Sequence, residues 1–150
     1  MHVNSVEEMP APKVTVLVPT YNTEKYLAQN LDALVGQTLR DIEIIAINDG
    51  STDGSLDIMR QYAARDARIR IIDKQNEGYG ASCNRGISEA HGRYIAILEP
   101  DDWIESNMLA DMIAHADSFD QDIDIVKTPY WRIWMPDTSE QRKVNCSYRS

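Results

Sequence analysis

Ile42-Glu43-Ile44-Ile45-Ala46-Ile47-Asn48-Asp49-Gly50-Ser51-Thr52-Asp53-Gly54-Ser55 is the stretch on which the fold turns. Its first six residues are mainly β-branched, as in a buried strand. The next eight are turn and cap residues. Behind them Leu56, Met59, Tyr62 and Ala63 lie on one face of a helix that Ser51, Thr52 and Asp53 are suited to open. Strand, turn and amphipathic helix make one βα unit. The pattern repeats outward. Upstream, Val14–Pro19 reads as a strand, and Leu27, Leu31, Leu34 and Val35 as a helical stripe closed by Gly36 as C-cap. Downstream, Ile69–Ile72 and Tyr94–Leu98 read as buried strands. Cys83, Ile87 and Ala90 mark a helix ending at Gly92, and Met108, Leu109, Met112, Ile113 and Ala116 another after Ser106. A last strand region runs from Ile123 into Lys127–Trp134, ahead of a Pro136-Asp137 turn. Alternating short strands and helices specify an α/β domain with a mostly parallel sheet, right-handed crossovers and helices on its faces. Met1–Pro12, polar with two prolines, reads as a flexible lead-in to a domain over 13–150.

Composition narrows the function. The chain has 150 residues and a net charge of -9, from 15 Lys+Arg against 24 Asp+Glu. That balance argues against a nucleic-acid binder, whose affinity rests on neutralising phosphates. No apolar run approaches the ~20 residues of a membrane span, and Met1–Glu8 lacks a signal-peptide pattern. Cys83 and Cys146 are too few for a disulfide framework, which points to a reducing compartment. Neither they nor His2, His91 and His115 show zinc-ligand spacing.

In an open α/β sheet, ligands bind beyond the carboxyl ends of the strands. Thr20-Tyr21-Asn22, Asn48–Ser55, Asp73–Gly80 and Glu99–Trp103 follow the four strands, and every one of these loops is polar and turn-prone. Glu99, Asp101 and Asp102 are three carboxylates in four positions, with no Lys or Arg from Glu99 to Val126. Such acids repel one another unless a hard divalent cation joins them, and Mg²⁺ or Mn²⁺ takes one or two carboxylates with phosphates and waters. Capping of the next helix by Asp101 or Asp102 is the plainer reading; taken with the neighbouring loops, the metal reading outweighs it. Of Asp49 and Asp53, one suits hydrogen bonds from a base or ribose, and an Asp-Gly-Ser-Thr-Asp turn is also ordinary capping chemistry. Asp53 is assigned to the cap and Asp49 to the ligand. Gly78 and Gly80 would let the backbone approach a phosphate at a helix N-terminus, although Cys83 stands where a dinucleotide fingerprint has its third glycine.

Val14–Asn22, Asn48–Ser55, Asn76–Gly86 and Leu98–Trp103 resemble, in order and spacing, the family 2 glycosyltransferases over roughly residues 13–115. The resemblance implies a GT-A fold binding a nucleotide-sugar, commonly UDP-linked, through Mn²⁺ or Mg²⁺. It implies that Pro19, Thr20 and Tyr21 line the nucleotide pocket, that Asp49 meets the base and that Lys74 approaches the nucleotide. Asn22, Asn76 and Gly78 are counted with them. The acidic motif falls on Glu99, Asp101 and Asp102, with Asp101 the principal metal contact. Glu99 replaces the usual Asp, and Cys83 replaces an Arg found in many members, so a phosphate contact of that Arg is not carried over. Inverting members use a carboxylate base on the acceptor side, expected beyond Ser150; the chain therefore reads as a donor-binding part lacking its acceptor side. The expected acceptor is a saccharide or lipid, and the expected setting is bacterial polysaccharide or glycolipid assembly in the cytoplasm, peripheral at the inner membrane face. Tyr130, Trp131 and Trp134 are expected to bury themselves in a homodimer.

Two other classes fit parts of the pattern. A sugar-phosphate nucleotidyltransferase needs a Gly-rich basic loop after strand one, where this chain has Thr20-Tyr21-Asn22-Thr23. A response-regulator-like module places its acids after strand one and its phosphoacceptor after strand three, whereas here the acids follow strands two and four.

Overall fold

The computed structural model of the chain describes residues 11–133 and 141–144. The elements are β1 (Val14–Thr20), α1 (Glu24–Val35), β2 (Ile42–Asp49), α2 (Ser55–Ala63), β3 (Ile69–Lys74), α3 (Tyr79–Glu89), β4 (Tyr94–Ile97), α4 (Met108–Asp117), β5 (Tyr130–Ile133) and β6 (Gln141–Val144). They fall into two compact units, Met1–Leu109 and Ala110–Ser150. The first holds a four-stranded sheet in the order β3-β2-β1-β4, parallel throughout. The second holds most of α4 and an antiparallel β5-β6 pair. No helix among the described residues is long and apolar enough to cross a membrane.

β1 is, with β2, one of the two inner strands, and all seven of its residues are buried. Leu17, Ile45, Ile47 and Ile72 form a core cluster across β1, β2 and β3. The chain steps from β1 to β3 in one direction and then crosses back to β4. Right-handed crossovers therefore put α1 and α2 on one face and α3 on the other, with the reversal between β1 and β4. α3 lies very close to the sheet. A Cβ on Gly86 would stand 2.8 Å from an Ile47 methyl and 2.9 Å from those of Leu17.

Several local expectations change. β2 and β3 run two residues past their apolar runs, because parallel pairing carries on through Asn48 with Asp73 and Asp49 with Lys74. α3 buries Ser82, Cys83 and Gly86, while Ile87 is exposed, since a helix this close to the sheet has room only for small side chains. Among the described residues β4 is an edge strand paired with β1 alone, and Ile95 and Ile97 stand exposed. Gly36 ends α1 in right-handed geometry, φ -77°, so its conformational freedom is not what closes the helix. Residues 123–129 are not strand; the strand begins at Tyr130, and its partner β6 had no signal in the sequence reading. Residues 1–10 of the lead-in, the Pro136-Asp137 turn, Trp134 and the side chains of Tyr130 and Trp131 lie outside what is described, and with them the expected aromatic interface.

At the amino ends of the strands, Glu43 fastens the sheet together. Its carboxylate accepts from Thr15 Oγ1 (2.7 Å), His91 N (3.0 Å), His91 Nδ1 (2.9 Å) and Arg70 Nη2 (3.3 Å). Burial alone would raise its pKa. The hydrogen bonds from His91, Thr15 and Arg70 outweigh that and bring it from 4.5 down to about 2. A carboxyl whose pKa is lower in the folded state stabilises fully above pH 4.5 and loses that contribution as pH falls toward 2. Urea denaturation across that window should show the wild type losing up to about 3 kcal/mol more than Glu43→Gln, which keeps the shape without the charge. Parallel pH profiles for the two proteins would contradict this.

Candidate functional site

The carboxyl edge of the sheet starts with β1. Leu17 O accepts from Leu98 N (2.9 Å) on the β4 side. Pro19, two residues on, has no N–H to extend that ladder, so the strands part there. Pro19 and Thr20 are buried, and the Thr20 hydroxyl turns back to Val18 O (3.2 Å). Tyr21 and Asn22 are exposed. Asn22 takes the left-handed conformation, φ 52°, which Asn tolerates better than most residues. Its Oδ1 accepts from Thr52 N (2.8 Å) and Asp53 N (3.3 Å), and its own N–H donates to Ser51 Oγ (3.0 Å).

The first turns of α1 and α2 satisfy each other. Asp53 Oδ1 accepts from Ser55 N (3.0 Å) and Oδ2 from Glu24 N (3.1 Å). Ser55 Oγ accepts from Thr23 N (3.0 Å), and Glu24 Oε2 accepts from Gly54 N. Helix-start N–H groups lack intrahelical partners, and here each helix's lead-in supplies acceptors to the other. The N-cap positions fall on Gly54 for α2 and Thr23 for α1, not on Ser51, Thr52 or Asp53; Asp53, just before Gly54, accepts from the first N–H of both helices.

Asp49 is only 4% exposed. Its Oδ1 accepts from Lys74 Nζ and Glu77 N (2.9 Å), its Oδ2 from Gly78 N (2.9 Å). Burial raises the Asp49 pKa, but Lys74 and the two backbone donors bring it below its ordinary value. Burial likewise lowers that of Lys74, and the Asp49 and Glu77 carboxylates raise it above its ordinary value. A carboxylate has about four acceptor positions, so these three donors leave one on Oδ2 unfilled. Gly78 has φ 92°, which only glycine adopts freely. Gly50, φ 69°, lies so close to the same loop that a Cβ would stand 2.7 Å from Asn76 N. Asn76 itself is exposed. A Cβ on Gly78 or Gly80 would meet nothing within 4 Å, so the space before α3 is open.

Glu99-Pro100-Asp101-Asp102 forms a β-turn closed by Asp102 N to Glu99 O (3.0 Å), with Pro100 at the position that turns favour. Asp101 and Asp102 are exposed, and Glu99 accepts from the Tyr79 hydroxyl of α3. That bond, more than burial, raises the Tyr79 pKa. Burial raises the Asp102 pKa, and the charges of Asp101 and Glu99 add to the effect. Among the described residues no Lys or Arg pairs with these acids, and no three His, Cys, Asp or Glu groups converge as a ready-made metal cage. A hard ion that keeps waters and substrate phosphates in its shell fits such an open oxygen-donor turn; one needing a closed protein cage does not.

Three residues at this edge were missed by the sequence reading. Asn30 of α1, fully buried, donates through Nδ2 to Glu99 O (2.8 Å) and Asp102 O (2.9 Å). Gln37, also fully buried, donates to Glu105 O (2.8 Å) and accepts from Leu109 N (3.2 Å). Tyr79 is the third. The available signal was Asn30 itself, a polar residue between Leu27, Leu31 and Leu34 of an apolar stripe. At the opposite end of the sheet an open cleft of about 900 Å³ is lined by Arg40, Asp41, Arg68, Arg70 and His91. There Arg68 pairs with Asp66 and Arg70 with Glu43 and Glu89, so the charge of both is met within the protein.

A parallel α/β sheet with polar loops and an acidic turn where its winding reverses is the architecture that this chain shares with solved structures of the GT-A type. The model of Glycosyl transferase family 2 matches residues 15–143, and the chain belongs to that family. It is 45% identical over 108 residues to the putative glycosyltransferase EpsH of Bacillus subtilis, covering 72% of this chain and 31% of that protein. S. aureus TarS, solved with UDP-GlcNAc, is similar with a TM-score of 0.66 and 31% identity, over 70% of this chain and 31% of that one. A Pyrobaculum calidifontis mannosyltransferase, solved with GDP-Man and Mn²⁺, matches with a TM-score of 0.62 and 25% identity, over 72% and 32%. The chain thus spans about a third of the length of these relatives. Membership of this family sets the chain apart from the nucleotidyltransferase and response-regulator classes.

The Asp49–Lys74 pair yields a prediction. Lys74→Met leaves a buried carboxylate without its counter-charge and should cost about 3 kcal/mol or more in urea denaturation. Adding Asp49→Asn should recover part of that. A loss in the single variant below about 0.5 kcal/mol, the level of an ordinary surface change, would show that the backbone donors suffice.

Proposed function

We propose that this domain binds a nucleotide-diphosphate sugar, a UDP-sugar in the first instance, at the carboxyl edge of its sheet. We further propose that it serves inverting transfer of the sugar to a hydroxyl of a saccharide or lipid-linked acceptor. The observation that carries the reading is the Glu99–Asp102 turn: carboxylates with no Lys or Arg partner among the described residues, at the reversal point between β1 and β4 and joined through Glu99 to Tyr79 at the start of α3. The TarS structure solved with UDP-GlcNAc and the mannosyltransferase solved with GDP-Man and Mn²⁺ support the ligand class.

In this reading Asp101, with Asp102, holds Mn²⁺ or Mg²⁺, and Glu99 contributes while its carboxylate is steadied by Tyr79. A divalent ion bound there supplies positive charge against the diphosphate as it departs. Tyr21 and Asn22 border the nucleotide with Asn76 and Gly78, and the buried Pro19 and Thr20 set the backbone beneath them. The remaining acceptor position on Asp49 Oδ2 receives the N–H edge of the base, while Lys74 keeps Asp49 ionised. Gly78 and Gly80 leave the backbone approachable by phosphate. The acceptor oxygen attacks the anomeric carbon from the side opposite the diphosphate. The carbon–oxygen bond to the phosphate breaks, and its electron pair leaves with the nucleotide. The acceptor proton passes to a base that is not assigned to any of these residues. The cytoplasmic side, against a membrane when the acceptor is a lipid, is the setting that suits this chemistry.

Calorimetric titration with UDP tests the site. Binding should require Mn²⁺ or Mg²⁺, and Asp101→Asn, which keeps shape and loses charge, should weaken it about tenfold or more. UDP affinity that is indifferent to the metal and to Asp101→Asn would overturn the assignment.

A further inference from the structure

We infer that Asn30 is a positioning residue for the Glu99–Asp102 turn and thereby sets how tightly that turn binds a divalent cation. The inference rests on the metal reading given above. Asn30 lies in the middle of α1 and is fully buried, and its Nδ2 reaches the carbonyl at each end of the turn, 2.8 Å to Glu99 O and 2.9 Å to Asp102 O. Turning the amide over would set Oδ1 against two carbonyl oxygens, so the orientation follows from its surroundings. In that orientation Oδ1 is buried and has no partner. A buried, unpaired acceptor is costly, and a leucine of similar size would avoid it. What the amide offers that leucine would not is the pair of donors on the turn.

The turn therefore has two faces. Its carbonyls point into the protein and are tied to α1, while Asp101 and Asp102 are exposed. The mutual repulsion of these acids and Glu99 favours spreading, and Asn30 opposes it by holding both ends of the turn at one point. Gln37 provides a control just past the end of the same helix, tied back to it through Ala33 O (3.0 Å). It is equally buried and makes comparable hydrogen bonds, but to Glu105 O and Leu109 N, beyond the turn.

The test is titration of the chain with Mn²⁺ alone, followed by the electron paramagnetic resonance of the free ion, together with thermal denaturation of each variant. Asn30→Leu should weaken Mn²⁺ binding about tenfold, the loss expected when a preset ligand geometry is released. Gln37→Leu should lower the melting temperature comparably yet leave Mn²⁺ affinity within about twofold. A purely structural role moves the melting temperature and not the affinity of the folded protein. Should Asn30→Leu not fold, Asn30→Ser keeps one small donor and should show an intermediate loss of about threefold. Wild-type Mn²⁺ affinity in folded Asn30→Leu or Asn30→Ser, or equal weakening by the Asn30 and Gln37 variants, would overturn the inference alone. Absence of Mn²⁺ binding in the wild type would overturn the metal reading and the inference with it.

Discussion

The parting of β1 from β4 is the constraint on which the rest depends. β1 is buried along its whole length and pairs with β2 through Thr20, but with β4 only through Leu17. Beyond that point Pro19 has no N–H to give, and the two strands separate. Because the winding reverses here, the helices after β1 and β3 lie on opposite faces and leave a crevice between the strand ends. The loop after β1 and the acidic turn after β4 follow the two strands that flank this reversal.

Once the crevice exists, its walls need support, because loops at a sheet edge carry unpaired backbone groups. Three devices supply it. Asn22, Asp53, Glu24 and Ser55 satisfy the first turns of α1 and α2 across the β1–β2 boundary. Asp49 gathers Lys74 and the backbone of Glu77 and Gly78, which ties the β3 loop to the end of β2. Asn30 and Gln37 fix the acidic turn and the segment after it to α1. Each device uses a buried or half-buried polar side chain to replace water at the backbone. The exposed groups, Tyr21, Asn76, Asp101 and Asp102, thus stand on loops whose backbone is hydrogen-bonded at these points. Such preorganisation is what a site needs if it must meet charge without rearranging.

The departures from the family pattern acquire a local meaning. Glu99 is one methylene longer than the usual Asp, and its carboxylate is engaged by the Tyr79 hydroxyl on the neighbouring helix. Cys83, in the second turn of that helix, is buried in the row of small residues that allows α3 to lie against Leu17 and Ile47.

The alternation of strand and helix, the order of the loops and the acidic turn were legible in the sequence by itself. Each rests on local chemistry: β-branched runs, stripes at helical spacing, glycine and aspartate in turns, three carboxylates close together. Asp53 as an acceptor at the start of α2 was legible for the same reason, since it acts there within a few residues of its own position. Only the tertiary structure decided the rest. That β2 and β3 extend through Asp49 and Lys74 depends on parallel pairing between strands, which no single strand encodes. That α3 buries small residues and exposes Ile87 depends on how closely a helix settles on a sheet formed elsewhere. Asn30 shows the limit best, because its partners lie 69 and 72 residues further along the chain. A polar side chain in an apolar stripe announces only that something must satisfy it. Which backbone does so is settled by the fold, because hydrogen bonds are short and the chain must first bring its distant parts within 3 Å.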